Sequence, residues 1–366
     1  MVVTDDFSLI DLPRTALIDD QQAYLQQAVR WHFSAQTGSP YWLERAKTLD
    51  FDPLTDVKTF EDLALFPNIV DELRDVSVRE MVPAGYGPTP LAPTIYESGG
   101  TTGAPKRVIV LPDWAEQLTE LLVADLDQPA LRDGGSLFVG PTGPHMFGQI
   151  QKDVAARLNS VLFYIDLDPR WVKKLVARGA GDEAAAYVEH IVEQAAVILR
   201  TQDITLLTTT PPLLQAIARH DDLVDVINDK VARIQLGGAQ LDTDTRDILR
   251  DIFPNIQLDN MYGSTMILGT ARTRHAVSKD DPVIHDAYSP YITFSVIDPA
   301  TRRPVSYGER GQVVMNHISK AMFLPNNLER DTAVRVLGPD GQVGDSLSEV
   351  KPVETFGGQT VIEGVY

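Results

Sequence analysis

Apolar and polar positions change their spacing several times along this chain, and each change marks an element. Over 21–33 and 42–48 apolar residues recur every three to four positions, which predicts two helices, with Ser39, Pro40 and Tyr41 punctuating the gap. Thr59 is placed to cap a short helix over 60–64, with Glu61 and Asp62 in the first turn where acidic groups are favourable. The run 108–111 reads as a strand, and 114–126 returns to helical spacing. Two short apolar runs, 136–140 and 161–166, read as buried strands. A long helix over 184–199 leads to a β-branched strand over 204–210, which Pro211 and Pro212 end before a helix restarts over 213–218. The segment 231–241 runs from a strand into Gly237 and Gly238, and Asp242 or Thr243 then caps a helix reaching 252. From 290 the pattern shortens to strands over 292–297 and 311–315 separated by turns.

Strands alternating with helices imply an α/β fold with a largely parallel sheet covered on both faces. The short strands after 290 imply a small, mostly antiparallel barrel. A chain of 366 residues can bury a sizeable core and divide into two or three lobes. Its formal charge of −19 disfavours nucleic acid and acidic membranes as partners, so an anionic ligand needs local lysine and arginine. The absence of cysteine excludes disulfides, thiolate metal sites and a cysteine acyl intermediate. Residues 1–14 are acidic without an apolar core of signal-peptide length, and no apolar run is long enough to cross a bilayer. The expectation is a cytoplasmic protein.

Candidate chemistry gathers first at 96–107. Gly99, Gly100 and Gly103 let the backbone turn and bare its N–H groups, Ser98, Thr101 and Thr102 add hydroxyls, and Lys106 and Arg107 follow. That is a phosphate cradle. It is not the common P-loop, because Pro105 precedes the lysine and a strand, not a helix, comes next. A second site candidate is 141–148, where glycines and prolines surround His145 and Phe147. This describes a rigid loop at a strand end, the place where open α/β sheets bind ligands.

Residues 98–106 resemble the phosphate loop of the adenylate-forming enzymes, the superfamily of acyl-CoA ligases, peptide-synthetase adenylation domains and luciferases. Asn260, Met261, Tyr262, Gly263, Ser264, Thr265 and Met266 resemble that family's Asn-x-Tyr-Gly-x-Thr-Glu pattern. The resemblance implies two helix-covered sheet lobes, a small β-barrel lobe and ATP as co-substrate. It also implies site residues. Ser98, Gly99, Gly100, Thr101, Thr102, Gly103 and Lys106 would hold phosphates. Asn260 would meet the adenine edge, Tyr262 would stack on the ring beside Gly263, and Thr265 would bond an α-phosphate oxygen. Gly237, Gly238 and Ala239 would pack against adenine and the acyl group. His145 and Phe147 match positions beside the acyl pocket, which Gly237, Gly238 and Met266 would also line, although His145 equally suits a loop histidine bonded to the backbone. Lys106, Thr265 and His145 are the residues expected nearest the chemistry. Met266 departs from the pattern: the family has a glutamate there that helps hold magnesium, and a thioether is too soft to replace it. Magnesium is then held by phosphates, water and another carboxylate, with Glu97 a candidate, or adenylation is slow or absent. No protein-built metal site is expected.

Residues 308–312 resemble a Gly-Glu-x-Gly-Glu turn of the same family, and 328–331 resemble the phenylacetate-CoA ligase form of its aspartate motif. Asp331 would grip both ribose hydroxyls, which a carboxylate can do, and Arg330 would lie near phosphate. The order of the N-terminal elements also resembles phenylacetate-CoA ligases. In the family a domain of about a hundred residues follows, carrying a lysine that assists adenylation. Only about 35 residues follow Asp331 here. The expected organisation is therefore a core over 1–335, its barrel lobe beginning near 285, and a short tail over 336–366 replacing the C-terminal domain. In that tail 350–353 and 360–362 would form a hairpin, with Lys351 either standing in for the lysine or solvated in a loop. This combination resembles the stand-alone adenylating proteins of phenazine tailoring. It implies a small aromatic acid such as phenazine-1,6-dicarboxylate and a separate acceptor, either a reductase or a thiolation partner. Two alternatives stay open: a degenerate nucleotide-binding protein, and a ligase completed by a partner in trans.

Overall fold

The computed structural model describes residues 6–13, 16–88, 92–98, 105–126, 128–274 and 281–353, with the backbone of 355–356 and 359–360. Strands β1 (Thr94–Glu97) and β2 (Arg107–Val110) form an antiparallel hairpin, Glu97 opposite Arg107. Beside it stands a five-stranded sheet of β3 (Gly135–Gly140), β4 (Val161–Asp166), β5 (Ile204–Thr209), β6 (Arg233–Leu236) and β7 (Gln257–Asn260). Its order is β4-β3-β5-β6-β7 and every pair is parallel. β3 and β6 are buried throughout, as strands covered on both faces should be. β4 differs from the buried strand expected there. It is the sheet edge, and Val161 and Tyr164 are exposed.

Helix signals are local here. Asp242 accepts from Thr245 N–H at 2.9 Å and opens Thr243–Ile252. Asp168 likewise caps Pro169–Ala177, a helix whose proline sits at the start, where its missing N–H costs nothing. The loop expected over 141–148 ends at His145, which is the N-cap of Met146–Arg157.

The second sheet comprises β8 (Gly263–Ser264), β9 (Gly269–Arg274), β10 (Ile284–Ala287), β11 (Ile292–Ile297), β12 (Arg310–Ile318), β13 (Phe323–Leu337) and β14 (Asp345–Pro352). It is antiparallel, in the order β11-β12-β13-β14-β10-β9-β8. This sheet occupies the place of the expected barrel lobe, but begins before 285 and takes in 345–352. β14 pairs with β13 on one side and β10 on the other, so Lys351 is a strand residue and not a loop residue.

The N-terminal helices splint this sheet at one corner. Tyr24 Oη donates to Ile318 O at 2.9 Å, Trp31 Nε1 to Lys320 O at 2.9 Å and Trp42 Nε1 to Phe323 O at 2.9 Å. His32 Nε2 lies 2.7 Å from Ser319 O. The rings of Phe33, Trp42 and Phe66 close on Phe323 with centroids 5.2–5.5 Å away, mostly edge to face. The corner they hold is the β12–β13 turn. Among the described residues no helix is long and apolar enough to cross a membrane.

Candidate nucleotide site

Both sheets deliver loops to one place. At the carboxyl end of β6 the chain turns through Gly238 at φ +77°, a conformation that glycine adopts without strain. The turn after β7 is tied to it, because Met261 N–H donates to Leu236 O at 2.7 Å. Gly263 is obligatory for a steric reason. An added Cβ would lie 2.6 Å from Gly269 O and 2.7 Å from Thr270 Cα. A cavity of about 740 Å³ opens between these turns and β14, lined by Gly238, Ala239, Asn260, Tyr262, Asp331 and Lys351 among others.

Tyr262 spans that cavity. Its Oη donates to Asp331 Oδ2 at 2.8 Å, and its carbonyl accepts from Ala271 N–H at 2.7 Å and Thr270 Oγ1 at 2.8 Å. Burial, reinforced by Asp331 and Glu329, pushes its pKa well above the ordinary value, so the phenol remains a donor. Thr273 Oγ1 donates to Asn260 O at 2.7 Å. Behind the ring stands His285, centroid 5.6 Å away, buried, with Nδ1 unpartnered among the described residues. Burial lowers its pKa to about 4, so it is neutral at pH 7.

Asp331 reaches the cavity because β13 is irregular there. Between the pairs Val314↔Leu328 and Gln312↔Thr332, β13 advances four residues while β12 advances two. Glu329, Arg330 and Asp331 lie in that bulge, the device by which sheets re-aim side chains beside sites. Glu329 accepts from Asn327 Nδ2 at 2.6 Å and is hydrogen-bonded to the Ser264 side chain. Burial and Asp331 push its carboxyl up to about 7, against the pull of Ser264, Lys106 and Arg330.

The β1–β2 hairpin supplies the other end. Lys106 N–H donates to Ser98 Oγ at 3.0 Å and Ser98 N–H to Lys106 O at 3.0 Å, closing the base of the glycine-rich loop. Gly99, Gly100, Thr101, Thr102 and Gly103 lie outside the described residues. Lys106 itself is buried, with Nζ 2.9 Å from Asp71 Oδ1. Burial lowers its pKa; Asp71 opposes that, and Arg330 and Arg74 add to it. Arg330 is also within electrostatic reach of Asp71 and Lys173. Glu97 is gripped by Arg107 at 3.0 Å and Arg170 at 2.5 Å. Arg74 Nε and Arg170 Nε are buried without a hydrogen-bond partner among the described residues. In a chain of net charge −19, cations from four segments gather around Asp71 and Glu97. That is the electrostatic footprint of a polyanion site.

Against known structures the likeness is in shape. The 2-hydroxyisobutyryl-CoA ligase in an open conformation, in complex with 2-HIB-AMP and CoA, superposes with a TM-score of 0.65 at 13% identity, over 98% of this chain and 85% of that one. The chain has the adenylate-forming fold. The same ligase in its thioesterification state, again with 2-HIB-AMP and CoA, gives 0.61 at 15% identity over 93% and 72%. In the postadenylation state with 2-HIB-AMP it gives 0.59 at 14% over 90% and 70%. The sequence matches no family model and no curated protein sequence.

Within this adenylate-forming fold, the structure gathers Gly238, Ala239, Asn260, Tyr262, Gly263 and Asp331 around one cavity, and brings Arg330 within electrostatic reach of Lys106. Thr265 opens the 3-10 turn Thr265–Ile267, half-buried. Met266 is placed elsewhere: its side chain is buried in the main hydrophobic core. Gly237 faces Phe147, whose ring would lie 3.0 Å from an added Cβ. Phe147 in turn meets Phe138 edge to face at 5.1 Å. His145 is half-buried beside Arg170, and burial, then Arg170, lowers its pKa. Sequence reasoning missed Asp71, Arg74, Arg170, Lys173 and Glu329 as members of the site. The helix carrying Arg170 and Lys173 starts at the Asp168 cap, which sequence reasoning also passed over.

Met266 is buried in the core, and Glu97 is saturated by two arginines. Glu329 and the Ser264 hydroxyl are hard oxygen donors beside Lys106, so the residues present fit a cation carried on phosphates.

Proposed function

We propose that this chain activates a carboxylic acid with ATP, forming an acyl-adenylate and pyrophosphate. The observation that carries the proposal is the Tyr262–Asp331 hydrogen bond across the cavity. It joins the two sheets, and it sets a flat ring for a purine beside a carboxylate able to accept from two ribose hydroxyls. A carboxylate oxygen of the acid attacks the α-phosphorus, the bond to the bridging oxygen breaks, and pyrophosphate leaves with both electrons. Lys106 and Arg330 offset the charge on the departing phosphates, and Thr265 donates to an α-phosphate oxygen. A magnesium ion held by the phosphates and Glu329 would supply further neutralisation. His145 and Phe147 border the acid and exclude water. The 2-HIB-AMP in the structures of the similar ligase is a product of the same form.

The substrate class we favour is a flat aromatic acid, with phenazine-1,6-dicarboxylate as the candidate, because the apolar neighbourhood of Phe147 and Gly237 suits a flat ring better than a long chain. The adenylate would pass to a separate acceptor, a reductase forming an aldehyde or a thiolation partner. One observation favours a second reading, a nucleotide-binding protein without turnover: the thioether at Met266 is buried in the core.

ATP–pyrophosphate exchange with magnesium and a panel of aryl and fatty acids tests this directly. Exchange that depends on an aryl acid is the expected result. Nucleotide binding with no exchange for any acid would select the second reading.

A further inference from the structure

Glu329 raises a problem of charge that its own neighbours do not solve. It lies in the β13 bulge, within electrostatic reach of both Asp331 and Lys106. If Asp331 holds the ribose and Lys106 the outer phosphates, a triphosphate must pass Glu329. Lys106 and Arg330 share Asp71, Lys106 with Nζ 2.9 Å from its Oδ1, so they offset only part of the phosphate charge. An ionised carboxylate repels phosphate oxygens set close to it. A proton or a cation must stand between them.

Resting on the adenylation reading above, we propose that Glu329, assisted by the Ser264 hydroxyl, is the protein ligand for a divalent cation of the magnesium class that arrives on the nucleotide's phosphates. The donors suit that ion: a carboxylate and a hydroxyl, both hard oxygen, with no sulfur or imidazole between them. Among the described residues no group of three or more His, Asp or Glu side chains is gathered to cage a cation. One carboxylate plus phosphate oxygens is the ordinary way a protein holds magnesium. Glu329 is also positioned for it. The bulge aims it, and Asn327 Nδ2 at 2.6 Å and the Ser264 side chain hold its carboxylate, so an arriving cation would take the place of the Ser264 proton on it.

The test is calorimetric titration of the whole chain with AMP, with ATP plus chelator, and with ATP plus magnesium, for the wild type and Glu329→Gln. In the wild type, magnesium should tighten ATP by about tenfold or more and leave AMP unmoved. In Glu329→Gln the magnesium gain should fall to about twofold or less, and chelated ATP should bind more tightly than to the wild type, because the repulsion is gone. Retained AMP binding shows that the variant is folded. As a second measurement, manganese bound with ATP should give an electron-spin resonance spectrum that changes between wild type and variant. An undiminished magnesium gain in Glu329→Gln, or an unchanged manganese spectrum, overturns the inference while leaving adenylation standing. Failure of the wild type to bind AMP overturns the nucleotide reading, and this inference with it.

Discussion

The two ends of the candidate site are built on opposite terms. At the Tyr262 end, one tyrosine and one aspartate satisfy each other at 2.8 Å, and the strands carrying them are braced by Thr270 and Thr273. The partners are mostly neutral, and the geometry exists before any ligand arrives. At the Lys106 end, charges from 71–74, 97–107, 170–173 and 329–330 crowd together, and two guanidinium Nε atoms are buried without acceptors among the described residues. Buried donors without partners are costly, and on the proposed reading the phosphates would supply the missing acceptors. On that reading the contrast separates the two tasks of holding a nucleotide: recognition of the nucleoside is preformed, and neutralisation of the phosphates is left for the ligand to finish.

The largest test of this division is Asp331→Ala. Losing charge-assisted hydrogen bonds worth about 3 kcal/mol should weaken AMP and ATP alike, by roughly a hundredfold in calorimetry. A loss confined to ATP would break the comparison. Acid comes next, because the Tyr262 end rests on the neutral His285. Its folded pKa of about 4 lies below the ordinary 6.5, so the unfolded chain gains a proton first as pH falls. Stability should therefore decline from pH 6.5 towards pH 4 by up to about 3 kcal/mol from this group, and level off below. Thermal melts of Glu-free buffers across that range would show it, and His285→Gln should lose that part of the slope. Lys106→Ala should weaken ATP by about tenfold and AMP by less than about threefold, since AMP lacks the outer phosphates. Tyr262→Phe is the smallest. Removing one hydrogen bond of about 1 kcal/mol should weaken both nucleotides about fivefold, equally.

The same division explains what the sequence disclosed. The alternation of strands and helices through 252 was legible because burial on both faces writes itself as short apolar runs. The run over 161–166 misled, since an edge strand can carry the same composition as a buried one. Asn260, Tyr262 and Asp331 were legible as motif residues, the first two at the turn after β7 and Asp331 in the β13 bulge. Asp71, Arg74, Arg170 and Lys173 carry no signature that points to a site: each is an ordinary surface-type residue, and the contacts that tie them together, Asp71 to Lys106 and Arg170 to Glu97, reach across dozens of positions. Glu329 was in view as part of the aspartate motif. Its inward course follows from a two-residue slip against β12, and register is a property of two strands that neither one spells out.

The corner where the N-terminal helices grip the β12–β13 turn has a consequence in time. The donors Tyr24, Trp31 and Trp42 find their acceptors 294, 289 and 281 residues later. A ribosome adding about 5–20 residues per second leaves these aromatic surfaces without their partner for roughly 15–60 s. Over that interval the first helices made are the last to be covered, and the nascent chain presents the client surface that a chaperone would recognise.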